Sequence, residues 1–272
     1  MNNEKIKIIA VGLISALLGA GVFAAQDNIR RAKEQLHVPP VGGSESIITL
    51  GENQATHTKK NQLSDTHAEE IVLKAEAMHI AGEPFVAKDT TMNVSAIQDA
   101  QAKMMVARAR ILKKYDDSSA WLELGAYRSL VGDTEGAILA WKFLAKIRPD
   151  LFVAWYDLGD TYAFKLHNFL EGEKYFEKSI EANPLFVDGY LALATLYKNK
   201  EEGFDRTMKI EEILKKGITR NGSNITLKVR LAEYYRDTGK KDEAIVAYEE
   251  VLKLNPPNRA AIEAEITALK AV

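Results

Sequence analysis

The chain has 272 residues, a hydrophobic fraction of 46% and a formal net charge of -2. That is enough apolar material for one large domain or two small ones, and the balanced charge argues against a nucleic-acid binder, which would usually show a strong basic excess. The absence of cysteine excludes disulfides, thiolate catalysis, Cys-ligated zinc or iron–sulfur sites and a lipidated cysteine anchor.

Residues 1–40 open with Lys5 and Lys7, and an uncharged apolar stretch follows from Ile8 to Ala25. As a helix this stretch would span roughly 27 Å, close to the hydrocarbon core of a bilayer. The length favours a transmembrane signal-anchor over residues 8–25. The alternative is a signal peptide cleaved near Ala24, with Val22-Phe23-Ala24 as its small-residue exit. A third reading is a soluble helix buried on every side. Lys5 and Lys7 favour a cytoplasmic N-terminus, whereas Arg30, Arg31 and Lys33 pull the other way. A basic start followed by an early apolar run favours export, which puts the rest of the chain on the extracytoplasmic, periplasmic side. Ala16 and Ala20, or Gly21 and Ala25, have the small-xxx-small spacing that packs two membrane helices, so a homo-oligomer is one option.

Val38-Pro39-Pro40 stops the helix before it, because the residue preceding proline is pushed out of the helical region. Residues 41–64 are rich in Gly, Ser, Thr, Asn and Gln and read as a flexible linker. Residues 65–117 read as a helical segment. A first helix over about 65–81 places Ile71, Ala75 and Met78 on one face and ends at Gly82 and Pro84. A second, from Ser95 to Lys114, carries the stripe Ile97, Met104 and Ile111.

From residue 118 to 257 the chain repeats itself. "SAWLELGAYR" and "VAWYDLGDTY" lie 34 residues apart and share a Trp-x-x-Leu-Gly signature. The small residue of that signature recurs as Gly125, Gly159, Ala194 and Ala232, and an aromatic three residues later as Tyr162, Tyr197 and Tyr235, with Arg128 in that place first. In the second helix a small position runs Ala137, Gly172, Ile210, Ala244 and a large apolar one Trp141, Phe176, Leu214, Tyr248. Pro149, Pro184, Gly222 and Pro256 end the second helices. These three series share the same steps, so independent positions agree on one register.

This pattern resembles the tetratricopeptide repeat, a 34-residue helix–turn–helix. The resemblance covers about half the chain as four repeats, of which the third departs: Ile210 occupies a small position, and the turn within "NKEEGFDR" is about four residues longer. The second repeat has one extra residue near "LHNFLEG". The physical logic is close approach, since a small side chain on one helix admits a bulky one from its partner. The expected fold is all-α, a right-handed α-solenoid of helix-turn-helix repeats with an N-terminal membrane helix. Residues 258–272 form a capping helix with Ile262, Ile266 and Leu269 inward. Tyr115 falls where a terminating proline would, so 65–117 resembles a degenerate front repeat.

The resemblance implies a groove, lined by first helices, that binds a partner segment. The family's groove positions fall on Leu122, Ala126, Tyr156, Asp160, Asp188, Leu191, Thr195, Lys198, Val229, Glu233 and Arg236, with Asp237 beside the last. The Lys and Asn that the carboxylate-clamp subgroup uses for chaperone C-termini are missing from the corresponding positions. The mixed apolar and acidic lining suits a segment with apolar anchors and a basic residue.

Catalytic constellations are thin. Glu34-x-x-His37 and Glu76-x-x-His79 have a di-iron-like spacing but stand in separate segments. "GITRNGS" lacks the lysine of a phosphate loop. The expectation is a non-enzymatic scaffold without metal or cofactor. It would bind a protein or peptide segment of a complex subunit and help assemble a membrane or envelope complex, for example in cytochrome c maturation or secretion. The alternatives are a subunit of an enzyme complex, with His67, Glu70 and His79 converging, and a homo-oligomeric structural protein.

Overall fold

The structure, a computed structural model, describes residues 69–85, 87–89, 91–199 and 204–271. The apolar stretch 8–25, the linker 41–64 and His67 lie outside these residues. The described chain is helical throughout, with no strand among the described residues. It divides into two compact units, one ending at Val131 and one beginning at Gly132.

In the first unit, residues 69–82 form α1, Val94–Lys113 form α2 and Ser118–Leu130 form α3. Asn93 and Asp117 start α2 and α3 by accepting from the backbone N–H of Ala96 and Ala120, which satisfies a donor that has no partner inside the helix. The core is Ala77, Ile80 and Ala81 from α1, Ala100, Met104, Ala107 and Ile111 from α2, and Trp121 and Leu124 from α3. This corrects the expected face of α1. Met78 is 50% exposed and Ala75 only partly covered, because the helix is rotated to put small Ala77 and Ala81 at the contact. The irregular connection after α1 is pinned across the end of α3. Lys88 and Asp89 both donate their backbone N–H to the Val131 carbonyl, at 2.8 and 3.1 Å. Buried Arg128, which takes the tyrosine position of the other repeats, donates to the Glu83 carbonyl at 2.8 Å and lies over the Phe85 ring.

In the second unit the elements are α4 (Thr134–Ile147), α5 (Phe152–Asp160), α6 (Phe169–Ala182), α7 (Val187–Leu196), α8 (Ile210–Asn221), α9 (Ile225–Asp237), α10 (Lys241–Leu252) and α11 (Arg259–Ala271). Helices pair in chain order as the repeat register requires, α5 with α6, α7 with α8 and α9 with α10, and α11 closes on α10. Phe176, Tyr190, Leu193, Leu214 and Leu227 form the main core, and Tyr248, Val251, Ile262 and Ile266 a second one under α11. Each such fully buried large side chain contributes roughly 1.5–3 kcal/mol.

The small positions work as the sequence suggests. A Cβ added to Gly159 would sit 2.6 Å from the Phe176 ring, and one added to Gly172 would sit 2.7 Å from the Ala163 Cβ. In the third repeat, where Ile210 replaces the small residue, the close approach is at Gly217, under the Tyr190 ring. The extra residue of the second repeat is taken up before the turn: Thr161–Lys165 form a π-helical turn that continues α5, and His167 closes it at φ 52°.

Candidate partner-binding face

The signature tryptophan does more than fill space. The Trp121 indole donates to the Tyr115 carbonyl at 2.7 Å, the Trp155 indole to Pro149 at 2.9 Å, and the Tyr190 hydroxyl to Pro184 at 2.9 Å. In each case a first-helix side chain ties down the carbonyl six residues earlier, where the preceding second helix has ended. Tyr115 thus takes a proline's place in the contact as well as in the spacing.

A second recurrent contact links one repeat to the next. The Tyr197 hydroxyl donates to Glu173 at 3.0 Å, and the Tyr235 hydroxyl to Glu211 at 3.0 Å. Lys209 and Arg206 also approach Glu173, at 2.9 and 3.4 Å, and Lys215 and Lys240 approach Glu211, both at 2.7 Å. The lysine and tyrosine donors hold the Glu211 carboxyl down at about 2. Sequence reasoning assigned the tyrosines to stacking and missed the carboxylates. The signal was present, since both the tyrosines and the glutamates are 38 residues apart.

Of the expected groove residues, Leu122 and Ala126 share one side of α3 in the first unit, the former half-buried and the latter exposed. The rest lie in the second unit. Tyr156 of α5 is half-buried, edge-on to Phe186 with ring centroids 5.2 Å apart, and tilted against Phe176 at 5.5 Å. Phe152 joins Phe186 at 4.6 Å, making an aromatic cluster between the starts of α5 and α7 that the sequence reading did not include. Leu191 packs on the core, and Val229 on the cluster under α11. Thr195 spends its hydroxyl on the Leu191 carbonyl within α7.

Charge is unevenly distributed over these residues. Arg236 is paired with Asp237 at 2.8 Å and Glu265 at 3.2 Å, Lys198 faces Asp237 at 3.9 Å, and Glu233 is paired with Arg230 at 2.9 Å. Asp160 and Asp188 form no ion pair among the described residues. Burial raises the Asp160 carboxyl, opposed by Lys165. Burial and then Asp160 push its neighbour Asp157 up to about 7. The Tyr156 hydroxyl is raised by burial and by the charges of Asp160, Asp188 and Asp157. Beside the aromatic cluster, then, are two carboxylates, Asp160 and Asp188, in no ion pair among the described residues, with Lys165 acting on Asp160 through its charge alone.

The described residues of the first unit carry their charges in local pairs. Glu70 pairs with Lys74 at 2.7 Å and His79 with Glu83 at 3.3 Å, each within a turn, while α1 and α2 pack through apolar faces. His67, the third residue of the convergence expected with Glu70 and His79, lies outside the described residues. No group of three potential metal ligands occurs among the described residues. No described helix is long and apolar enough to cross a membrane.

Comparison with known proteins agrees with the register. Residues 153–184 and residues 227–258 each match the tetratricopeptide repeat. Anaphase-promoting complex subunit 7 of Arabidopsis thaliana is 25% identical over 145 residues, which is 51% of this chain and 25% of that protein. The chain thus spans about a quarter of the length of that curated relative. Among solved structures, MamA is similar with a TM-score of 0.47 and 19% identity, covering 60% of this chain and 95% of that one. YrrB, described as a TPR protein with an unusual peptide-binding site, has a TM-score of 0.46 and 18% identity, covering 61% and 82%. Two stretches of the chain thus match the tetratricopeptide repeat, and its described residues form an all-helical fold of paired helices.

Proposed function

We propose that these tetratricopeptide repeats make the chain a non-catalytic scaffold that holds a segment of a partner protein on the face shared by α5, α7 and α9. The carrying observation is the charge imbalance. The cations Lys198 and Arg236 are paired to neighbours, whereas Asp160 and Asp188 beside Tyr156 are not. A segment with an apolar or aromatic anchor and an adjacent Lys or Arg is complementary to that arrangement. Tyr156 supplies a rigid amphipathic surface, and Asp160 a half-buried carboxylate whose raised pKa relaxes when a cation arrives. That YrrB is described as having a peptide-binding site, and that the plant relative is a subunit of a complex, supports the same class of role. The apolar stretch 8–25 supports a membrane-tethered setting on the extracytoplasmic side, and hence a part in assembling a membrane or envelope complex.

The test is affinity capture with in-cell crosslinking, comparing the full-length protein with a Tyr156→Ala/Asp160→Lys variant. The expected outcome is a partner captured by the first and lost from the second, with helicity and solubility unchanged. Identical capture by both would overturn the reading. Fusing a reporter active only outside the cytoplasm after residue 272 tests the setting, and an inactive reporter would overturn it.

A further inference from the structure

Helix α2 is apolar on two nearly opposite faces, and only one of them is used. Ala100, Met104, Ala107 and Ile111 are buried in the first unit. On the other side Ala102, Met105, Ala109 and Leu112 follow one another at intervals of three, four and three residues, the spacing of a coiled-coil seam. Both alanines are exposed, Met105 is 64% exposed and Leu112 47%, and Val106, on the flank of this seam, is 60% exposed. The arginines between these positions are drawn elsewhere. Arg110 reaches Asp117 and Glu123, and the Arg108 guanidinium lies toward Gly82 of α1. The seam is left clear of charge along its centre.

We propose that this seam is a self-association surface, occupied by α2 of a second copy of the chain in antiparallel orientation about a twofold axis crossing the seam midway between Met105 and Ala109. The argument is self-complementarity. With the axis there, Ala102 faces Leu112 and Met105 faces Ala109, so each layer pairs a small residue with a large one, as knobs-into-holes packing requires. A parallel register would set alanine against alanine and leave gaps. The same symmetry carries one flank onto the corresponding flank of the copy. Val106 then meets Val106 near the axis, and Lys113 of the copy comes within about 3 Å along the helix of the level of Asp99, which is paired with Lys103 in its own helix at 2.8 Å. The seam is short, two heptads of one helix, and falls below the roughly 1,200 Å² of a stable complex. The dimer is therefore weak and concentration-dependent. It uses none of the residues of the proposed partner face.

The chain has no cysteine, so a single introduced one reports its own position. Val106→Cys in the full-length protein, oxidised in detergent solution, should give a disulfide-linked dimer, whereas Lys103→Cys and the highly exposed Met208→Cys should not. Sedimentation equilibrium should show association that Met105→Glu/Leu112→Glu weakens about tenfold or more, with helicity unchanged because both side chains are already in solvent. A monomer at all concentrations overturns the proposal. So does a dimer unaffected by the double substitution, or equal crosslinking at all three cysteines, since these point to association through another part of the chain.

Discussion

Asp157 stands one residue from Tyr156 in the most acidic part of α5, and its environment keeps a carboxyl protonated to about 7. The cause is desolvation first and the nearby Asp160 charge second. The folded chain therefore holds a proton that the unfolded chain releases near 3.8, so stability falls as pH rises between these values. Replacing Asp157 with Asn removes that liability. The variant should be more stable than the parent at pH 8 by on the order of 2–4 kcal/mol, with the difference vanishing near pH 4, as read by urea unfolding at both pH values. A constant offset across the range would mean that Asp157 titrates normally.

The helices of the second unit are held by two kinds of contact, close approach within a repeat and hydrogen-bonded coupling between repeats. Gly172 represents the first. An added Cβ would meet not only the Ala163 Cβ but also its backbone nitrogen and Cα, both at 3.0 Å, and a backbone cannot rotate aside. Gly172→Ala should destabilise by roughly 1–3 kcal/mol despite the better helix propensity of alanine, measurable as a lowered denaturation midpoint. Glu211 represents the second. Its carboxyl titrates near 2 in the folded chain against 4.5 unfolded, so its stabilising effect is fully present above 4.5 and is lost as pH falls toward 2. Because the side chain is partly exposed, Glu211→Gln should cost only about 1 kcal/mol at neutral pH, and the loss should shrink through that acid window. Hydrogen exchange in α9 should rise more than in α5, since the broken contact joins the third repeat to the fourth.

For the molecule as a whole, repetition explains how a chain of modest apolar content stays folded. Within the second unit each hairpin buries one face on its neighbour, so departures from the pattern can be absorbed locally. The second repeat takes its extra residue into a π-helical turn, and the third moves its close approach from the Ile210 position to Gly217. Neither disturbs the pairing of α7 with α8 or of α9 with α10. The last repeat is finished by α11, whose Ile262 and Ile266 cover the apolar end that stacking would otherwise leave open.

The repeat register, the helix-ending prolines and the small and large positions were legible in the sequence alone. They obey fixed spacings along the chain, and a helix converts spacing directly into a face. Trp155, Gly159 and Phe176 could be assigned without coordinates for that reason. Contacts between repeats are not encoded by spacing within any one of them. Glu173 and Glu211 look like ordinary surface carboxylates until the next repeat delivers a tyrosine hydroxyl to each. Asp157 is one aspartate among many until burial raises its pKa. Met105 and Leu112 are as apolar as Met104 and Ile111 beside them, and only packing decides which side of α2 is covered. In each case the deciding quantity is what surrounds the side chain, and only the tertiary structure supplies it.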